Sequence, residues 1–326
     1  MKKLLLIGLL TAGLTACQST GGTPGEKAAE TPDPVPAGDV FPLTGEPGAG
    51  DKSGRVLGVM VNNHPKARPQ SGLSQADLVY EALAEGQITR FLALFHSDIP
   101  DTIGPVRSAR PYYFELAYGY DALYAYHGAS HSIYQQLAGT SMDAVDGAVY
   151  DNNGWLFRRS GDRSAPHNSY LWTEGLDRVV VEKGLTEGDP PEALYFTDES
   201  PDGRPAEEVQ VTYGSRTQVR WQYSDQGFLR FNDGEPSVDR STMEQISADN
   251  VWIIEARHQI IDEAGRREVD LTSGGRGFLF QKGTMKEVEW RNTDGRLLPY
   301  EGEEQVPFVP GNTWINIIPE SAAVQF

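Results

Sequence analysis

The sequence predicts an α/β first domain, a mixed sheet with helices, followed by a mostly-β second domain. Before residue 184, short apolar runs rich in β-branched residues alternate with helix-capping signals. Residues 184–208 are dense in Pro, Gly and acids, which suits a boundary between packed units. After it come short β-rich runs separated by turns such as Asn232-Asp233-Gly234 and Thr293-Asp294-Gly295. The expected limits are 53–195 for the first domain and 208–326 for the second.

Ahead of both stands an export signal over residues 1–16. Lys2 and Lys3 precede an apolar stretch from Leu4 to Leu14, and Leu14-Thr15-Ala16 leads into Cys17. A cysteine behind small residues is the lipidation site of a bacterial lipoprotein. Cleavage before Cys17 and acylation of its thiol, palmitate included, would hold the chain on the extracytoplasmic face of the cell membrane. Two acyl chains suffice for stable anchoring, since each buried methylene contributes about 0.8 kcal/mol. Cys17 is the one cysteine in 326 residues, so no intramolecular disulfide supports the fold. Residues 17–52, rich in Gly, Pro, Thr and Glu, read as a flexible tether. Phe41-Pro42-Leu43-Thr44-Gly45 is its first point of contact with folded protein.

Along the first domain, Arg55 to Asn62 reads as a buried strand, and Leu78 to Glu85 with Ile88 to His96 as a hairpin. Ser108 is placed to cap a helix running through Pro111, Tyr113 and Leu116, with proline in its first turn. Ala122 to Tyr126 is a strand. Ser130 caps a second helix ending at Gly139, where glycine suits a left-handed C-cap. A third helix runs from Thr173 to Lys183. In the second domain, strands are expected at Val209 to Tyr213, Val219 to Tyr223, Phe228 to Asn232, Asn250 to Ala256, Gly277 to Phe280, Val288 to Trp290 and Thr313 to Ile318.

A net charge of −18 argues against nucleic acid as a partner. Among the basic residues arginine prevails, the residue suited to bidentate contact with carboxylate or phosphate. Two arginines concentrate in Gly104-Pro105-Val106-Arg107-Ser108-Ala109-Arg110, where a Gly-Pro turn meets a helix start. Unpaired N–H groups there, with Arg107, Ser108, Arg110 and the hairpin's Arg90, would bind an anion. The competing reading pairs these arginines with acids of the hairpin. Glu81 and Glu85 share one face of a continuous strand, with Leu83 between them. Either is a candidate general acid if burial raises its pKa, or else one half of an ion pair.

His127 at a strand end is a candidate hydrogen-bonding or acid/base group. His127 and His131 stand four apart, but Gly128 interrupts the helix that a metal site at this spacing needs. No metal or cofactor is expected. The loop Arg163-Ser164-Ala165-Pro166-His167-Asn168 adds His167 and Asn168. Asn152, Asn153 and Trp155 would offer amides and an aromatic face to a sugar, as would the tyrosines between Tyr112 and Tyr134, which otherwise fill the core.

The chain resembles the YerB-like lipoprotein family, two-domain proteins of uncharacterised function in bacteria of the Gram-positive type. The resemblance covers roughly residues 41–320. It is carried by Ala76-Asp77-Leu78-Val79-Tyr80-Glu81, Glu85-Gly86-Gln87-Ile88-Thr89-Arg90-Phe91, Gly104 to Arg110 and Ala165-Pro166-His167-Asn168. Asn250-Val251-Trp252 and Gly311-Asn312-Thr313-Trp314 add to it. Gln87 stands where the family usually has a second glycine, a change local to the turn. The resemblance implies a folded extracytoplasmic domain pair on a lipid anchor, and no particular reaction. From the residues, the expected function is binding of peptidoglycan or another anionic envelope glycan through an Arg-rich cleft. Two alternatives stand beside it: a glycan-cleaving enzyme using Glu81 or Glu85, and an envelope assembly scaffold.

Overall fold

The computed structural model describes residues 40–185, 188–214 and 217–326. The export signal, Cys17 and the tether up to residue 39 lie outside the described residues. The principal strands, numbered along the chain, begin with β1 (Leu57–Asn62), β2 (Leu78–Leu83), β3 (Thr89–Phe95), β4 (Leu123–Tyr126) and β5 (Ala144–Asp146). They continue with β6 (Glu208–Thr212), β7 (Gln218–Ser224), β8 (Gly227–Asn232), β9 (Asn250–Ala256), β10 (Gly275–Gln281), β11 (Thr284–Thr293), β12 (Arg296–Glu301) and β13 (Thr313–Pro319). Three helices accompany the first five strands: α1 (Pro111–Tyr118), α2 (His131–Ala138) and α3 (Leu176–Lys183).

Among the described residues a twelve-stranded sheet runs β12-β11-β10-β9-β13-β2-β3-β1-β4-β5, completed by two short edge pairings. Its centre is parallel. β2 pairs with β13, Leu78 opposite Thr313 and Glu81 opposite Asn316, and β13 pairs with β9. Strands covered on both faces read as near-continuous apolar runs, which is why β1 and β2 carry little alternation. The sheet therefore passes unbroken from the first segment of the chain into the second. The first segment is mixed sheet with helices and the second is mostly strands, as the sequence predicts.

Each face of the sheet has its own core. One side packs Tyr80, Leu92, Tyr112, Tyr113 and Tyr124 beneath α1 and α2. The other packs Phe91, Trp221 and Trp314 beneath a six-stranded sheet that contains β6, β7 and β8. Of the tyrosines between 112 and 134, Tyr118 and Tyr134 are exposed and the other five are buried. At the end of α1, Gly119 meets the β11–β12 turn so closely that a Cβ would lie 2.4 Å from the Gly295 carbonyl carbon.

Several local expectations are corrected. Phe41 and Leu43 are buried: the contact expected at Phe41 to Gly45 is made, and only the extension of the tether to residue 52 gives way. Arg110, rather than Ser108, is the N-cap of α1, because proline at the first helical position fixes the start one step later. Ser130 is the N-cap of α2 but makes no capping hydrogen bond, and Gly139 is right-handed at φ −84°. The left-handed cap is found instead at Gly184, after α3. Finally, β2 ends at Leu83, so its alternation does not extend to Glu85. Glu81 and Glu85 consequently meet different partners.

Candidate functional site

Parallel β1, β4 and β5 present their carboxyl ends together, the usual place for ligands in sheets of this kind. The segment from Gly104 to Arg110 crosses these ends and is stitched to both β1 and the chain leaving β4. Asn62 donates its backbone N–H to the Pro105 carbonyl at 2.9 Å, and Arg107 donates to Met60 at 2.9 Å. His127 donates to the Arg107 carbonyl at 2.9 Å. Gly104 begins the crossing at φ +145°, where a Cβ would lie 2.9 Å from the Val106 nitrogen and 3.1 Å from the Tyr170 ring. Only glycine fits there.

The predicted arginines separate at this point. Arg90 and Arg110 are buried and both pair with Glu85, Arg90 at 2.5 Å. Arg90 also donates to the Ser108 carbonyl at 3.0 Å. Glu85 pairs with both guanidiniums, so the expectation of Arg90 and Arg110 as open ligand donors and of Glu85 as an acid is replaced by an ion-paired bridge, the competing reading of the sequence. Ser108 contributes its carbonyl to that bridge. Glu81 is wholly buried on the opposite face of the sheet. It accepts from Thr89 at 2.8 Å, Arg230 at 2.8 Å and the Trp314 indole at 3.1 Å. A carboxylate so enclosed has no approach for a substrate, and its role is structural.

His127 lies 3.4 Å from Asp151, which Arg159 holds with two donors at 2.8 and 2.9 Å. Asn168 ties its loop together, donating to Ser160 and Arg163 carbonyls and accepting from Arg159. Asn153 likewise spends its amide oxygen on the backbone N–H groups of Trp155, Leu156 and Phe157. His131, at the start of α2, is exposed.

Arg107 is different. Half-buried, its guanidinium has no acceptor among the described residues. Burial, with Arg90 nearby, brings its pKa down to about 10. Beside it, His167 stacks on His64 with ring centroids 4.3 Å apart. The hydrogen bonds assign both tautomers. Asn62 Oδ1 accepts from the His64 backbone N–H at 3.0 Å, which turns Asn62 Nδ2 toward His167 Nδ1, also at 3.0 Å. The Lys66 backbone N–H donates to His64 Nδ1 at 3.1 Å. Both Nδ1 atoms are therefore acceptors, and each neutral ring carries its proton on Nε2.

Burial holds both imidazoles below the ordinary histidine range, and the charges that add to this are all cationic. They are Lys66, Arg107 and Arg68 around His64, and His64 itself, Arg107, Lys66 and Arg163 around His167. In so acidic a chain, a patch where every acting neighbour is positive presents Arg107, Lys66 and two imidazole N–H donors to an oxyanion. His64 was not expected from sequence. The available signal was its position, two residues beyond the carboxyl end of a buried parallel strand.

Fold and site together define an α/β protein extended by a β-rich segment, with a cationic patch at the carboxyl ends of its parallel strands. The chain belongs to the DUF3048 family. Residues 43–186 match the family's N-terminal domain and residues 209–315 its C-terminal domain, both described as protein of unknown function. A protein of Bacillus subtilis (strain 168) named as a lipoprotein, YerB, is 44% identical over 274 residues, 82% of each chain. The crystal structure of YerB protein from Bacillus subtilis superposes with a TM-score of 0.82 at 41% identity, covering 88% of this chain and 99% of that one. A lipoprotein relative agrees with the cysteine-led reading of the N-terminus. Among the described residues no helix is long and apolar enough to cross a membrane.

Proposed function

We propose that the protein is an extracytoplasmic lipoprotein, held on the cell membrane through acylated Cys17, that binds an anionic envelope ligand at Arg107, His64 and His167. One observation supports this above the rest: a half-buried guanidinium without an acceptor among the described residues, flanked by two N–H donors of fixed tautomer. A buried cation cannot shed its charge near neutral pH, so an incoming carboxylate or phosphate gains a strong charge-assisted bond. Peptidoglycan, whose peptides carry carboxylates, is the expected partner. Cleavage of glycan by Glu81 or Glu85 finds no support, since both carboxylates are taken up by arginines.

Titration calorimetry with soluble peptidoglycan fragments tests the reading. A hydrogen bond to a charged group contributes about 1.5–3 kcal/mol, so Arg107→Gln should weaken binding at least tenfold. Equal affinity of the variant and the parent protein would refute the site. The anchor has its own check: Cys17→Ser should abolish incorporation of labelled palmitate and release the protein from membranes.

A further inference from the structure

The two histidines beside Arg107 are not equivalent. Both are half-buried, and they stack with ring planes 26° apart and centroids at 4.3 Å. Each keeps its proton on Nε2 because Nδ1 accepts a hydrogen bond, yet the two donors differ in kind. Nδ1 of His64 accepts from the backbone N–H of Lys66, inside the short turn Pro65–Ala67 that His64 caps. A backbone donor cannot become an acceptor without undoing the turn. Nδ1 of His167 accepts instead from Nδ2 of the Asn62 side chain. An amide carries a donor and an acceptor on one planar group, so turning Asn62 over would present Oδ1 to His167. The cost is the bond that Oδ1 accepts from the His64 backbone N–H.

Nothing within the protein rewards that turn. Besides the rings themselves, the charged groups acting on the pair are Lys66 and Arg68 beyond the end of β1, Arg107 on the crossing segment and Arg163 on the His167 loop. Acids on adjoining stretches are engaged elsewhere: Asp233 holds Arg68 at 2.6 Å, and Asp162 holds Arg240 at 3.0 Å. An imidazolium here has no counter-charge until one arrives from outside, in keeping with the lowered pKa of both rings. At so short a separation, repulsion between like charges admits one imidazolium and not two.

We infer that an anion settling at Arg107 draws one proton from solvent onto Nδ1 of His167, the Asn62 amide turning to accept it, while His64 stays neutral. An N–H bond forms at Nδ1 and no covalent bond breaks in the protein. The Nε2–H of His167 is retained and becomes a charge-assisted donor to the ligand. The site therefore grips its ligand in acid and loosens as pH rises. Regulation of this kind presupposes the reading of Arg107, His64 and His167 as an anion site.

The test is calorimetric titration of the lipidated full chain in detergent with soluble peptidoglycan fragments, in buffers of unlike ionisation enthalpy. Fragment carboxylates, which titrate at about pH 3–4, stay ionised throughout. Between about pH 7.5 and about pH 5.5 the parent protein should gain roughly fivefold in affinity and take up a proton, up to one per ligand. His64→Gln should bind more weakly and still take up the proton. His167→Gln should bind more weakly and take up none. Asn62→Asp, whose second oxygen charges His167 beforehand, should also take up none. Binding by the parent protein that is indifferent to pH and buffer overturns the proton linkage and leaves the anion site standing; no binding at either pH overturns both. Uptake that survives His167→Gln, or that is lost in His64→Gln, overturns the linkage as well. Should a variant fail to fold, NMR titration of the ring protons in the parent protein carries the same decision. Adding fragments should raise the midpoint of His167, and a rise at His64 in its place refutes the assignment.

Discussion

Glu81 Oε2 and Arg230 Nη2 lie 2.8 Å apart with neither side chain more than 2% exposed, joining β2 of the large sheet to β8 of the small one. The Arg230 guanidinium is boxed by Phe91 and Trp314, 5.2 and 4.8 Å from their ring centres. Removing one partner strands the other charge in the core, which typically costs about 3–5 kcal/mol. Glu81→Gln should accordingly lower urea-unfolding stability by that amount. The double variant Glu81→Leu with Arg230→Met should recover much of the loss. If E81Q unfolds at the parent midpoint, the pair is not a structural element.

Arg107 makes the opposite prediction. With no acceptor among the described residues, its truncation removes no internal bond. Arg107→Gln should leave stability within about 0.5 kcal/mol of the parent while weakening ligand binding. A large loss of stability would show that the side chain is a scaffold element.

The Gly104 backbone gives a third. Alanine there meets both an unfavourable φ and contacts near 3 Å, so Gly104→Ala should destabilise by about 1–3 kcal/mol. It should also displace Arg107, three residues on, so that ligand affinity falls with stability. Unchanged affinity in G104A would separate the crossing segment from the site.

His258 sets a pH dependence. Burial, reinforced by Arg267, brings its pKa from 6.5 in the unfolded chain to about 4 in the folded one. Between those values the unfolded chain binds the extra proton, so stability is full above pH 6.5 and is lost as pH falls toward 4. The linkage amounts to about 3 kcal/mol across that window. In phosphate-free chloride buffer, His258→Phe should flatten the acid side of the stability curve. A curve of unchanged slope would mean that the ring titrates near its ordinary value in the folded protein.

Much of this architecture was legible locally. Apolar runs such as Leu57–Asn62 and Asn250–Ala256 announce buried strands, and the acid-rich stretch after α3 divides the two matched segments. What escaped was set by distant partners. The departure of Glu85 from the Glu81 face depends on where β2 stops; the pairing of arginines with a hairpin acid was the competing reading of the sequence, and burial decides for it at Arg90 and Arg110. Arg230, which neutralises Glu81, comes 149 residues later in the chain. His64 became part of a site only through stacking on a loop that begins a hundred residues downstream.

The place of β13 in the sheet bears on how the protein is made. It sits between β2 and β9, so the ladder of β2 stays open on one side until Thr313–Pro319 has been synthesised. A chain synthesised amino end first must carry β2 with one edge unpaired until β13 arrives. Such an edge is a template for wrong pairing. Truncation before Thr313 would thus leave a sticky stub rather than a smaller working protein.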